Sequence, residues 1–121
     1  MSDALVIDDN RQTADALQNM LELLGLSAQV AYGAGPAISL LSIITPRVVL
    51  LDINMPGIDG GEILAFLRRE PRLLSVPVIV ITSDDQPETR RRMLHGGANT
   101  VLIKPVNFDV LESTLKKVGL L

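Results

Sequence analysis

Five short apolar runs punctuate the chain, and each is followed by polar sequence that carries apolar residues at steps of three and four. The runs are ALVID (4–8), SAQVA (27–31), RVVLLD (47–52), VPVIVITS (76–83) and TVLI (100–103). Apolar runs of this length, β-branched through the centre of the fourth, predict strands covered on both faces. Ala14, Leu17, Leu21 and Leu24 then share one helical face, which Gly25 ends as a C′ residue. Ala37, Leu41 and Ile44 form a second stripe, with Pro36 in its first turn. Ile63, Phe66 and Leu67 form a third that fades before Pro71. A polar helix over 86–95 stops at Gly96-Gly97, and Phe108, Leu111, Leu115 and Val118 make the last stripe.

The pattern is strand–helix repeated five times. Right-handed crossovers with helices on both faces turn such a repeat into a doubly wound α/β sandwich with a parallel sheet. No linker, low-complexity stretch or further repeat interrupts it, so the expectation is a single domain over residues 1–121.

Composition mostly excludes. There is no Cys, which removes disulfides, thiolate catalysis and Cys-ligated zinc; one His, His95, argues against a His-based metal site or a Ser–His couple. A net charge of −3, from 11 basic and 14 acidic residues, leaves no electrostatic footprint for nucleic acid, and the scarce aromatics give no base-stacking platform. The start MSDALVIDDN has an acid where a signal peptide has basic residues. No run approaches the roughly 18 apolar residues of a membrane span. A cytoplasmic domain with no membrane contact is expected.

The candidate chemistry lies at the ends of the strands. Ligands of an open parallel sheet bind beyond the carboxyl ends of its strands, at the switch point in strand order. The first run ends in Asp8-Asp9, the third in Asp52, the fourth in Thr82-Ser83, and Lys104-Pro105 follows the fifth. Each alone has an ordinary explanation. An Asp at a strand end is commonly a cap or turn former, Lys-Pro a surface turn, and Thr82-Ser83 ahead of Asp84-Asp85 an N-cap cluster. Together they bring three carboxylates, a hydroxyl and an ammonium to one edge. Three acids repel one another unless something positive sits among them. Mg²⁺, which takes six oxygens and commonly uses one or two carboxylates with phosphate oxygens, fits that need. Metal, ammonium and hydroxyl around a carboxylate are parts for phosphoryl transfer, with Asp52 as nucleophile.

These residues resemble the receiver domain of the two-component response regulators over essentially the whole chain. The matching pieces are LVIDDN, LLDINMPGIDG, VIVITS and IKP, with AYGAGPAISLL similar to the family's second loop and helix. The resemblance implies a flavodoxin-like five-stranded sheet in the order 2-1-3-4-5. It implies that Asp52 accepts a phosphoryl group from a phosphohistidine on a sensor histidine kinase or histidine phosphotransfer protein. Mg²⁺ (or Mn²⁺) would be bound by Asp9, Asp52 and the backbone carbonyl of Asn54, with Asp8 acting largely through water. Thr82 and Lys104 would each take a phosphoryl oxygen. Met55-Pro56-Gly57 and Gly60-Gly61 match the loop after the acceptor, and Asn54 and Asp84 fall at positions that tune the lifetime of the phosphoryl group. A cis Lys104–Pro105 bond is also implied.

Two positions depart from the family. Val101 stands where many members carry a Tyr or Phe that acts as a rotamer switch. Asn99 and Thr100 stand where the DNA-binding branch has acidic residues used in dimer salt bridges. A monomer or weak dimer is therefore expected, acting on a downstream protein target or a fused output domain, with any phosphorylation-dependent shift concentrated at 82–88. Arg90-Arg91-Arg92 reads as a solvated face.

The enzyme alternative is a haloacid-dehalogenase-type phosphatase, which pairs an acceptor Asp with a second Asp two residues later. Here that position is Asn54, and 121 residues hold no cap domain. A pure interaction module of the same fold would not need the complete site. The expected function is a signalling switch that catalyses only its own phosphorylation and dephosphorylation.

Overall fold

Alternate residues of the strands enter two different cores. The computed structural model describes residues 3–55 and 60–121. Its five strands are β1 (Ala4–Ile7), β2 (Ala28–Ala31), β3 (Val48–Asp52), β4 (Val78–Thr82) and β5 (Thr100–Ile103). They pair in parallel in the order β2-β1-β3-β4-β5, as the resemblance implies. The helices are α1 (Arg11–Leu23), α2 (Ala34–Leu41), α3 (Gly60–Arg69), α4 (Pro87–His95) and α5 (Phe108–Lys117), with a 3-10 turn at Pro71–Leu73.

On one face Ala4, Val6, Leu50 and Ile79 pack with Leu17 and Leu21 of α1 and Leu111 and Leu115 of α5. On the other, Leu5, Ile7, Leu51 and Val80 pack with residues of α2, α3 and α4. Every residue of β1, β3 and β4 is buried, which is why these strands read as unbroken apolar runs. Adjacent strands β1 and β3 have their helices on opposite faces, so a crevice opens at their carboxyl ends.

Local signals set the helix ends. Asn10 caps α1 by accepting the Thr13 N–H, and Asn107 caps α5 by accepting the Val110 N–H. Gly25, at φ 88°, ends α1 in a Schellman motif, with the Leu26 N–H donating to the Leu21 carbonyl at 2.9 Å. Two expectations shift. Ile44 lies beyond α2, which ends at Leu41 ahead of Thr45-Pro46, where the residue before proline disfavours helix. Thr82-Ser83 do not cap α4: its N-cap is Gln86, and Asp84 supplies the acceptor for the Gln86 N–H at 2.9 Å. Pro56-Gly57 of the loop motif lies outside the described residues.

Arg68 of α3 is an unforeseen organiser. Its guanidinium donates to the carbonyls of Gly97 (3.0 Å), Leu73 (3.2 Å), Leu74 (3.2 Å) and Val76 (2.9 Å), drawing the 72–76 segment and the turn after α4 onto α3. Arg68→Ala is expected to lower stability by about 1–3 kcal/mol, because partly buried carbonyls lose their donor. A urea midpoint unchanged from wild type would contradict this.

Candidate functional site

The crevice is built on strand ends that the core holds rigidly. Asp52, the last residue of β3, is 4% exposed, and Asp8, just after β1, is 1% exposed. The Asn54 N–H donates to Asp52 Oδ1 at 2.9 Å, and the Asn10 N–H donates to Asp8 Oδ1 at 2.9 Å. Each carboxylate thus has one oxygen fixed by the main chain and the other free to face the crevice. Lys104, immediately after β5, sends Nζ between them, 3.1 Å from Asp8 Oδ2 and 3.6 Å from Asp52 Oδ2. The Lys104–Pro105 bond is cis, as expected, and the Lys104 N–H donates to the Thr82 carbonyl at 2.8 Å. Asp9 is exposed at the rim, and one carboxylate oxygen from each of Asp8, Asp9 and Asp52 lies within 4.8 Å of the others.

Thr82, at the end of β4, is fully buried, and its hydroxyl donates to the Asn54 side-chain oxygen. That hydroxyl also accepts the Asp84 N–H at 3.0 Å. All six candidate residues therefore meet in one place. The Asn54–Thr82 bond had no sequence signal; a side-chain amide two residues past a strand is a common turn former. Arg90, Arg91 and Arg92 are exposed, as expected of a solvated face, and the Arg90 guanidinium also donates to the Val101 carbonyl at 2.9 Å. His95 is exposed at the last position of α4, as a helix C-terminus favours.

Three carboxylates share one ammonium. Burial pushes the Asp52 carboxyl above its ordinary value; the Asn54 N–H and Lys104 pull it down, while Asp8 pushes it up again. A cluster of hard oxygens around a partly neutralised carboxylate suits a divalent cation such as Mg²⁺ rather than a softer metal.

A doubly wound sheet with an acidic crevice at its β1/β3 switch point, bordered by a hydroxyl and an ammonium, is the architecture of a phosphorelay receiver. The family model of the response regulator receiver domain matches residues 4–116, and the chain belongs to that family. PilH of Pseudomonas aeruginosa is 32% identical over 98% of each chain. The sensor histidine kinase AruS of the same species is 33% identical over 97% of this chain, which spans 12% of the kinase. The signal receiver domain of the DNA-binding response regulator protein merR from Colwellia psychrerythraea superposes with a TM-score of 0.89, at 34% identity over 95% of each chain. The chain is thus a receiver domain of two-component signalling, a regulatory domain of a kind found both in response regulators and within sensor kinases. Receiver domains bind Mg²⁺ at an acidic pocket, and here Asp8, Asp9 and Asp52 form one. Among the described residues no helix is long and apolar enough to cross a membrane.

Proposed function

We propose that Asp52 is the phosphoacceptor of this receiver, and that residues 1–121 work as one switch domain. The observation that carries the proposal is a buried carboxylate with one oxygen held by a backbone N–H and the other 3.6 Å from a lysine ammonium, inside a cluster of three acids. In the reaction an Asp52 oxygen attacks phosphorus in line as the N–P bond of a phosphohistidine breaks, and the imidazole leaves with the bonding pair. The donor is a sensor histidine kinase or a histidine phosphotransfer protein. Asp9, Asp52 and the Asn54 carbonyl would hold Mg²⁺ (or Mn²⁺), with Asp8 acting through water, and the bound ion would supply positive charge for the phosphoryl oxygens. Lys104 pairs with one phosphoryl oxygen and the Thr82 hydroxyl bonds another. Water reverses the modification by attacking phosphorus as the O–P bond to Asp52 breaks, which releases phosphate and returns the Asp52 carboxylate. The domain acts in the cytoplasm as a monomer or weak dimer, on a protein target or a fused output domain, without touching nucleic acid itself.

Acetyl phosphate with Mg²⁺ should add one phosphoryl group in intact-mass measurement, and peptide mapping should locate it on Asp52. Chelation of the metal should stop uptake, and Asp9→Ala should lose most of the rate along with the Mg²⁺ dependence. A phosphoryl group mapped to any other residue would overturn the assignment.

A further inference from the structure

α4 offers little apolar surface to the rest of the molecule, since of its nine residues only Thr89 and Met93 are buried. Polar ties hold it instead. Asp84 accepts the Gln86 N–H at 2.9 Å and the Thr89 hydroxyl at 2.6 Å, while its own N–H donates to the Thr82 hydroxyl at 3.0 Å. Arg90, next along α4, reaches to β5, where Nη1 donates to the Val101 carbonyl at 2.9 Å. Among the described residues β5 is an edge strand paired only with β4. The Lys104 N–H points to the Thr82 carbonyl, so alternation turns the Val101 carbonyl to the open side, where no strand can meet it. An unbroken series of hydrogen bonds and adjacent residues thus runs from Thr82 through Asp84, Thr89 and Arg90 to Val101.

The geometry points to Arg90 as the positioning residue that carries the state of the Thr82 hydroxyl to the β5 edge. The inference rests on Asp52 being the phosphoacceptor. When the hydroxyl leaves Asn54 for a phosphoryl oxygen, the Asp84 N–H follows it and the first turn of α4 follows Asp84. The Arg90–Val101 bond then opens. Arg90 and Val101 both line a groove of about 840 Å³ between α4, the β5 edge and α5, so the opening changes the surface offered there. Val101 is 3% exposed and too short to swing as a ring would, so the guanidinium takes over a coupling that its side chain cannot provide. The shift expected at 82–88 thereby extends to Arg90 and β5.

Amide and arginine Nε–H spectra of the ¹⁵N-labelled protein, before and after Mg²⁺ and beryllofluoride, test this. In wild type the Arg90, Val101 and Leu102 signals should move together with those of Asn54 and Thr82. Unliganded Arg90→Gln should already place Val101 and Leu102 at least about half way to the liganded positions, as a shifted two-state population does. Arg90→Lys should restore part of the difference, Arg91→Gln should leave the spectrum as in wild type, and acetyl phosphate uptake by Arg90→Gln should stay within about two-fold. The inference fails if Asn54 and Thr82 respond to the probe while Val101 and Leu102 stand still. It also fails if Arg90→Gln matches wild type. Were Asn54 and Thr82 themselves unmoved at saturating probe, the phosphoacceptor reading would fall, and this one with it.

Discussion

Asp52→Asn is expected to abolish phosphoryl uptake from acetyl phosphate and, at the same time, to raise the stability of the unmodified protein at neutral pH. The first effect follows from chemistry: a carboxamide has no anionic oxygen to attack phosphorus. Uptake at an unchanged yield would remove Asp52 from its role. The second follows from electrostatics. Burial and the nearby Asp8 outweigh the Asn54 N–H and Lys104, and the Asp52 carboxyl is pushed above its unfolded value of about 3.9. The folded protein therefore holds this proton more tightly than the unfolded chain. The resulting stability is fully present below the unfolded pKa and is lost as pH rises through the folded one. Wild type should weaken over that window, whereas the amide, which does not titrate, should not. The amide oxygen still accepts the Asn54 N–H, and Lys104 still has Asp8 at 3.1 Å. Urea unfolding between pH 4 and 7 should show the variant gaining on wild type, with added Mg²⁺ narrowing the gap. A variant less stable than wild type at pH 7 would show that the Lys104 attraction wins instead.

Gly60→Ala should be strongly disruptive. A Cβ at Gly60 would fall on Ile53 Cα and come within 2.8 Å of Ile53 Cβ and Cγ2. The obstacle is backbone, so no rotamer change relieves it. Ile53 is also tied down, 7% exposed between Asp52 and Asn54, with its carbonyl accepting the Gly60 N–H at 3.4 Å. Overpacking a tight contact typically costs about 1–3 kcal/mol; a backbone clash at the start of α3 should exceed that range, and its displacement of Ile53 should slow phosphorylation as well. Gly35→Ala in α2 is the control. Beyond its chain neighbours a Cβ there meets nothing within 4 Å, and because Pro36 follows, the usual helix gain is offset, so stability should stay within about 1 kcal/mol of wild type. Equal urea midpoints for the two alanine variants would refute the steric account.

Much of the molecule was legible before any coordinates. Strands buried on both faces must be apolar at every position, so ALVI, VVLL and VIVI announced a covered parallel sheet, and helical stripes at steps of three and four supplied the cover. Once the sheet is parallel, all strand ends with the same polarity share one edge. Asp8, Asp52, Thr82 and Lys104 were therefore brought together by topology alone, without knowledge of a single distance. Tertiary structure decided what each of them touches. The Thr82 hydroxyl takes Asn54, Lys104 sits nearer Asp8 than Asp52, and Gln86 rather than Thr82 or Ser83 is the N-cap of α4. The long arginines were least legible. Arg68 spans from α3 to carbonyls of two other segments with no signal in the sequence, and Arg90, read as part of a solvated face, also reaches from α4 to β5. Apolar periodicity records which face of an element is buried, because burial acts on every residue of that face alike. A hydrogen bond depends on two atoms meeting within a few tenths of an ångström, and which acceptor a flexible side chain finds is settled only when the packed elements have fixed their positions.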